Sequence, residues 1–172
     1  MPSMGYFIKS PNLWRELMKP QKAEIIRSWD VVFPNDANPL GTMFGGKMMA
    51  VMDKIAAIAA SHYSGTIAVT ASTDAIDFKR PVKVGDRILV EAKVVWVGRT
   101  SMVVKVNAYA ENPRSRTCEH CTTAHFTFVA LDPEGRPTPV PPIWVETEEE
   151  KRDYQEAEMV KRQALERRQR FA

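Results

Sequence analysis

Residues 44–64 read F-G-G-K-M-M-A-V-M-D-K-I-A-A-I-A-A-S-H-Y-S, and this stretch decides the fold. Its spacing predicts a helix, because straight-chain and alanine residues fill it and its two glycines stand at its start. Met48, Met49, Val51, Met52, Ile55, Ala56, Ile58 and Ala59 leave no broad polar face, so the helix must be covered nearly all round. A strongly twisted antiparallel sheet wrapped around it meets that need.

The flanking sequence supplies the sheet. Five stretches alternate with a period of two, which puts successive side chains on opposite faces. Residues 23–33 align Ile25, Trp29, Val31 and Phe33. Residues 86–97 align Ile88, Val90, Ala92, Val94 and Trp96, residues 101–110 align Met102, Val104, Val106 and Ala108, and residues 117–131 are led by Phe126 and Phe128. Residues 66–78 start with Ile67, Val69 and Ala71 in phase and then switch to Ile76 and Phe78, which calls for a bulge near Thr73 to Ala75. Val97-Gly98-Arg99-Thr100-Ser101 joins two of these runs as a hairpin turn. The expected class is α+β, a five-stranded antiparallel sheet around one long central helix.

Outside this body, residues 1–21 form an N-terminal segment with a short helix expected near Pro11 to Met18. The body covers 22–132. Five prolines between Pro133 and Pro142 mark residues 133–145 as a linker. In residues 146–172 the acids come early (Glu146, Glu148, Glu149, Glu150, Asp153) and the bases late (Lys161, Arg162, Arg167, Arg168, Arg170), the order that complements a helix macrodipole. Thr147 and Glu150 make a capping box. A helix over 147–169 follows, with Tyr154, Ala157, Val160 and Ala164 as a thin docking stripe.

Composition excludes whole classes. The 172 residues, 44% apolar and 26% charged, describe one globular domain rather than a disordered chain. A net charge of +3 is too small for a nucleic-acid footprint. The apolar runs fall short of the ~20 residues a membrane span needs, and the first residues lack a signal-peptide centre. The expectation is a soluble, cytoplasmic protein with no membrane insertion, its two cysteines reduced.

Asp53 stands in the apolar helix with Met49, Met52, Ala56, Ala57 and Ala60 around it. A buried carboxylate is costly unless it is paired or hydrogen-bonded. Two readings therefore compete: Asp53 reaches solvent or an ion-pair partner such as Lys54, or it serves an active site beside small alanines that leave room for a ligand. The glycine pair Gly45-Gly46 opens the helix where free N–H groups and the positive dipole end can hold a developing oxyanion, or else it is a turn used for tight packing. Gly46 and Asp53 are separated by about 10 Å of helical rise. If both serve one reacting carbonyl, the acid comes from a second copy packed antiparallel, which predicts an obligate homodimer with two sites.

Other groups divide into weaker signals. Arg99, Thr100 and Ser101, with Lys79 and Arg80, suit an anion such as phosphate. Cys118, His120, Cys121 and His125 suggest a metal, but residues 118 and 121 of a strand point to opposite faces, so no metal site is expected. His62 reads as a cap or surface residue.

These residues together resemble the cytosolic acyl-CoA thioesterases of the hotdog fold, the group that includes brain-type acyl-CoA hydrolase and its single-domain bacterial relatives. The resemblance is carried by D-A-N-P-L-G-T-M-F-G-G (36–46), M-D-K-I-A-A-I-A-A (52–60), T-A-S-T-D-A-I-D-F (70–78), V-G-R-T-S (97–101), F-T-F-V-A-L-D-P-E-G-R-P (126–137) and P-V-P-P-I-W-V-E-T-E-E-E-K (139–151). It implies hydrolysis of fatty acyl-CoA to free fatty acid and CoA by a homodimer, commonly assembled as a homohexamer, a trimer of dimers. It also implies that Asn38 and Asp53 act from opposite subunits, that Gly46 N–H holds the thioester oxygen, and that Arg99, Thr100 and Ser101 lie near the coenzyme's phosphates. On this reading Met48, Met49 and Met52 line the acyl channel. No cofactor is expected, since coenzyme A belongs to substrate and product. A non-catalytic acyl-CoA sensor using the same pocket is the rival, and a hotdog dehydratase is disfavoured because no histidine precedes the glycine pair.

Overall fold

The computed structural model describes residues 18–172, so the short N-terminal helix expected from Pro11 onward lies outside the described part. Five strands form one antiparallel sheet: β1 (Ile26–Val31), β2 (Ile67–Thr73), β3 (Arg87–Val97), β4 (Ser101–Glu111) and β5 (Cys118–Leu131), in the order β1-β3-β4-β5-β2. Helix α1 (Gly45–Ser64) connects one edge strand to the other and touches all five strands on the way. It ends where Gly65 turns left-handed at φ 68° and its N–H bonds back to Ser61. Helix α2 (Glu148–Arg170) starts at the Thr147–Glu150 capping box and lies on the other face of the sheet, against β3, β4 and β5.

The core lies between α1 and the sheet. Met48, Met52, Ile55, Ala56, Ala59 and Ala60 pack with Ile88, Val90, Val94, Met102, Val104, Val106, Phe126 and Phe128 in one cluster. Phe126 and Phe128 are essentially fully buried, and each contributes on the order of 1.5–3 kcal/mol by leaving water. Phe126 pairs with Val104 and Phe128 with Met102, so the alternation expected for β4 and β5 is realised on the concave face.

Four expectations are corrected. Alternation says which residues share a face, and in β1 that face is the outer one: Trp29, Val31 and Phe33 are exposed, while Ile26 and Val32 turn inward. A register shift between Val94 and Trp96 moves Trp96 off the concave face and hands its place to Val97. The β2 irregularity falls between Thr70 and Ser72, before the expected Thr73 to Ala75, and the ladder stops at Thr73. The proline-rich linker is a tied strap. Val140 is fully buried in the core, its N–H bonds to Arg99 O at 3.0 Å, and the Tyr63 hydroxyl donates to Pro142 O at 3.0 Å.

Candidate active site

The loop before α1 is built by its own side chains. Asn38 N–H donates to Thr42 O at 2.8 Å, its Oδ1 accepts from Leu40 N–H at 3.0 Å, and its Nδ2 donates to Thr42 Oγ1 at 2.9 Å. This leaves the carboxamide half-buried, with one amide hydrogen for an outside acceptor. Asp36 clamps the loop to α1: it accepts from Phe33 N–H at 3.1 Å and pairs with Lys47 at 3.1 Å. The Phe33 N–H, then Lys47, hold the Asp36 carboxyl below the usual carboxylate range.

The clamp presents the first turn of α1. Lys47 and Met48 bond back to Phe44 O, and among the described residues neither Gly45 N–H nor Gly46 N–H has an acceptor. A Cβ at Gly46 would come within 3.3 Å of the Phe44 ring. Beside this turn opens a cleft of about 330 Å³ lined by Thr42, Met43, Gly45, Met48, Phe78 and Arg80.

Asp53 is half-buried two turns further along α1, and Thr70 Oγ1 of β2 donates to its Oδ1 at 2.7 Å. That bond fixes the carboxylate against the free edge of the sheet, since β2 is the last strand of the order. Neither Lys54 nor an arginine forms an ion pair with Asp53 among the described residues. Thr70 was missed as a site residue by sequence reading, although it opens the quoted motif 70–78.

Within one protomer the parts do not meet. Gly46 and Asp53 keep the ~10 Å of helical rise between them. Lys79 N–H bonds to Cys121 O near the start of β5, whereas the Thr100 carbonyl accepts from Ala130 N–H near its end, so Lys79 and Arg80 stand roughly 25 Å from Arg99. The single anion rim expected from the sequence is therefore two separate places. Arg80 is paired with Glu119 at 3.1 Å, Ser101 is buried, and Arg99 is exposed without an ion-pair partner among the described residues. The three methionines likewise part company: Met48 and Met52 face the sheet at 3% and 0% exposure, and Met49 faces outward at 38%.

No histidine stands beside Asp53 or Gly46 among the contacts described. His62 pairs with Glu24 at the surface, and His120 bonds Thr123 Oγ1 at 2.8 Å. Cys118 is exposed and Cys121 buried, where burial pushes its thiol up.

Residues 40–117 match the family described as thioesterase superfamily. An uncharacterized acyl-CoA thioester hydrolase of Bacillus subtilis is 44% identical over 119 residues, 69% of this chain and 69% of that protein. The chain belongs to the acyl-CoA thioester hydrolase family. Its hotdog fold aligns with a crystal structure of a hexameric acyl-CoA thioesterase at TM-score 0.83 and 39% identity, covering 87% of this chain and 97% of that one. The acyl-CoA hydrolase of Staphylococcus aureus, solved with butyryl coenzyme A, coenzyme A and coenzyme A disulfide, aligns at TM-score 0.77 and 38% identity over 86% of this chain and 92% of its own. That hydrolase has also been crystallised with alanine replacing an asparagine, an aspartate or a threonine, three residues spaced along its chain as Asn38, Asp53 and Thr70 are along this one. Within the family, then, this member presents an enzyme fold whose mid-helix acid and helix-start amides are held apart by the helical rise in a single copy.

Proposed function

We propose that the protein hydrolyses acyl-CoA to a free carboxylic acid and coenzyme A, as a homodimer with two sites, three dimers forming a homohexamer. The observation that carries this reading is Asp53, a carboxylate in an apolar helix, oriented by Thr70 at 2.7 Å and placed at an open sheet edge rather than in an ion pair. An antiparallel partner helix brings that acid toward the first turn of its mate, closing the gap that the rise imposes.

The chemistry follows from the positions. The thioester oxygen lies on Gly46 N–H at the positive end of α1, where developing negative charge is stabilised. The partner's acid takes a proton from water, and the hydroxide attacks the carbonyl carbon. The C–S bond then breaks and the proton passes to the departing thiolate. Asn38, with one amide hydrogen unused, positions the water or the carbonyl. The exposed Arg99 guanidinium faces a phosphate of the coenzyme at the far end of the sheet. Coenzyme A is thus part of the substrate, and no resident cofactor enters.

Among the described residues no helix is long and apolar enough to cross a membrane. A cytoplasmic location forms part of the proposal, because acyl-CoA is a water-borne substrate, and fractionation of cells checks it.

Thiol release across a panel of acyl-CoAs tests the reading. Wild type turns over, whereas Asp53→Asn binds substrate and releases thiol at least ~100-fold more slowly. A wild type that binds acyl-CoA without releasing thiol would instead make the protein a sensor.

A further inference from the structure

The two edges of the sheet differ in what they leave uncovered. On α1 and β2, Met49, Ile58, Ile67 and Val69 are exposed, and the proposed antiparallel dimer would cover the β2 edge. At the opposite edge, the outer face of β1 shows Trp29 at 54% and Phe33 at 58% exposure, with Val31 between them. Hydrogen bonds carry this surface into the catalytic loop: Gly85 N–H bonds to Val32 O at 2.9 Å, and Val84 N–H bonds to Gly41 O at 3.1 Å. Next to Gly41 stands Leu40, 87% exposed, two residues from Asn38, and Val84 is exposed as well.

We infer that this patch of Trp29, Val31, Phe33, Leu40 and Val84 seats a neighbouring dimer of the same chain, and that the contact steadies the loop that holds Asn38. The inference rests on the proposed dimer and hexamer and names the surface that joins dimers. A closed hexamer built from twofold dimers needs a second contact surface on each protomer, distinct from the first. The β1 edge is the sheet's other end, so it stays free when β2 is used. Its rim carries both signs: Asp30, Arg87 and Glu111 line a cleft of about 510 Å³ with Trp29, Val31 and Phe33. A rim of mixed sign suits an identical partner better than a strongly acidic or basic one. Exposed aromatic and aliphatic side chains with a polar rim are the usual make-up of such a contact.

The consequence for catalysis is specific. The Leu40 backbone is tied within the loop, its N–H on Asn38 Oδ1 at 3.0 Å, but its side chain is 87% exposed. Covering it restricts the loop and so holds the Asn38 carboxamide in place, and small misplacements of such a group are costly.

The full-length Trp29→Arg and Leu40→Asp variants test this, each checked for native circular dichroism. Both side chains are largely exposed in one protomer, so folding is retained. Sedimentation of wild type is expected at six copies and of each variant at two, with kcat/KM for an acyl-CoA about tenfold lower in the dimers. A hexamer in both variants would overturn the inference, and a folded hexamer of lowered melting temperature would show that a segment of the same chain covers the patch. Dimers with unchanged kcat/KM would overturn the effect on the loop. A monomer would also overturn it, because the patch would then belong to the twofold contact. Failure of the hydrolase reading is seen separately, as wild-type chain that never releases thiol.

Discussion

The two long helices lie on opposite faces of one sheet and are held by opposite physics. α1 packs by apolar burial, with Met52, Ala56 and Ala60 wholly out of water. Its one mid-helix acid, Asp53, has among the described residues a single side-chain bond, from Thr70. α2 touches the sheet through three small or branched residues, Ala157, Val160 and Ala164, and through ion pairs: Lys93–Glu150 at 2.8 Å, Lys105–Asp153 at 2.7 Å and Arg167–Asp74 at 3.7 Å. Burial does not titrate and is not screened by salt, whereas charge pairing responds to pH and is weakened by screening. The difference bears on the proposed site: the helix that needs no charge for docking keeps one acid that no base pairs with among the described residues.

The comparison breaks first at Asp53. Its replacement by Asn is expected to lower kcat by about 10³, near 4 kcal/mol of barrier, while the melting temperature stays within a few degrees. An equal loss of stability would make Asp53 a packing residue like its neighbours. Next comes Met52→Ala, expected to cost about 2–5 kcal/mol in urea unfolding because the core cannot refill its volume. The counterpart beneath α2 is Lys105→Met in β4. Burial works against the Lys105 charge, but its bonds to Asp153 and Glu156 win and raise its pKa. Its loss should cost about 1–2 kcal/mol, and only at low salt in full.

The smallest effect is a pH dependence on the α2 face. Burial beneath α2 pushes His125 below its ordinary 6.5, with Glu156, Asp74 and Asp153 opposing and Lys105 assisting. Its Nε2 is buried without a partner among the described residues. A lowered pKa contributes stability that is present above pH 6.5 and is lost as the pH falls through the depressed value. Glu150, held down to about 2 by Lys93 and by the N–H groups of Glu146 and Thr147, adds stability present above 4.5 and lost as the pH falls toward 2. Acid should therefore weaken the docking of α2 in two stages, whereas the apolar packing of α1 against the sheet carries no titrating group of that kind. The urea midpoint of His125→Leu should fall less than that of wild type between pH 7 and 5; parallel curves would contradict the assignment.

Much of this was legible in the sequence because each signal was local. Period-two runs marked all five strands, and the capping box placed the start of α2 to within a residue. What escaped depends on three dimensions. Alternation could not say that Trp29 faces outward, because an edge strand has less core to cover. One extra residue near Val94 turned Trp96 around. Prolines that suggested a linker instead accept the Tyr63 hydroxyl at the Pro141 and Pro142 carbonyls, and the segment places Val140 in the core. Asp53 stood out as a lone acid among apolar residues, but Thr70 looks like any strand threonine until β2 brings it to 2.7 Å. Arg99 and Arg80 looked like partners only because neither the register nor the length of β5 had been drawn.

The most direct measurement mixes two inactive proteins. If each site takes Asp53 from one subunit and Asn38 from the other, unfolding and refolding Asp53→Asn together with Asn38→Ala yields mixed dimers with one intact site. Thiol release should then return to about a quarter of the wild-type rate, the share of intact sites under random pairing of two subunits. A mixture as inactive as its components, with mixed dimers verified by mass spectrometry, would contradict a site shared across the twofold axis.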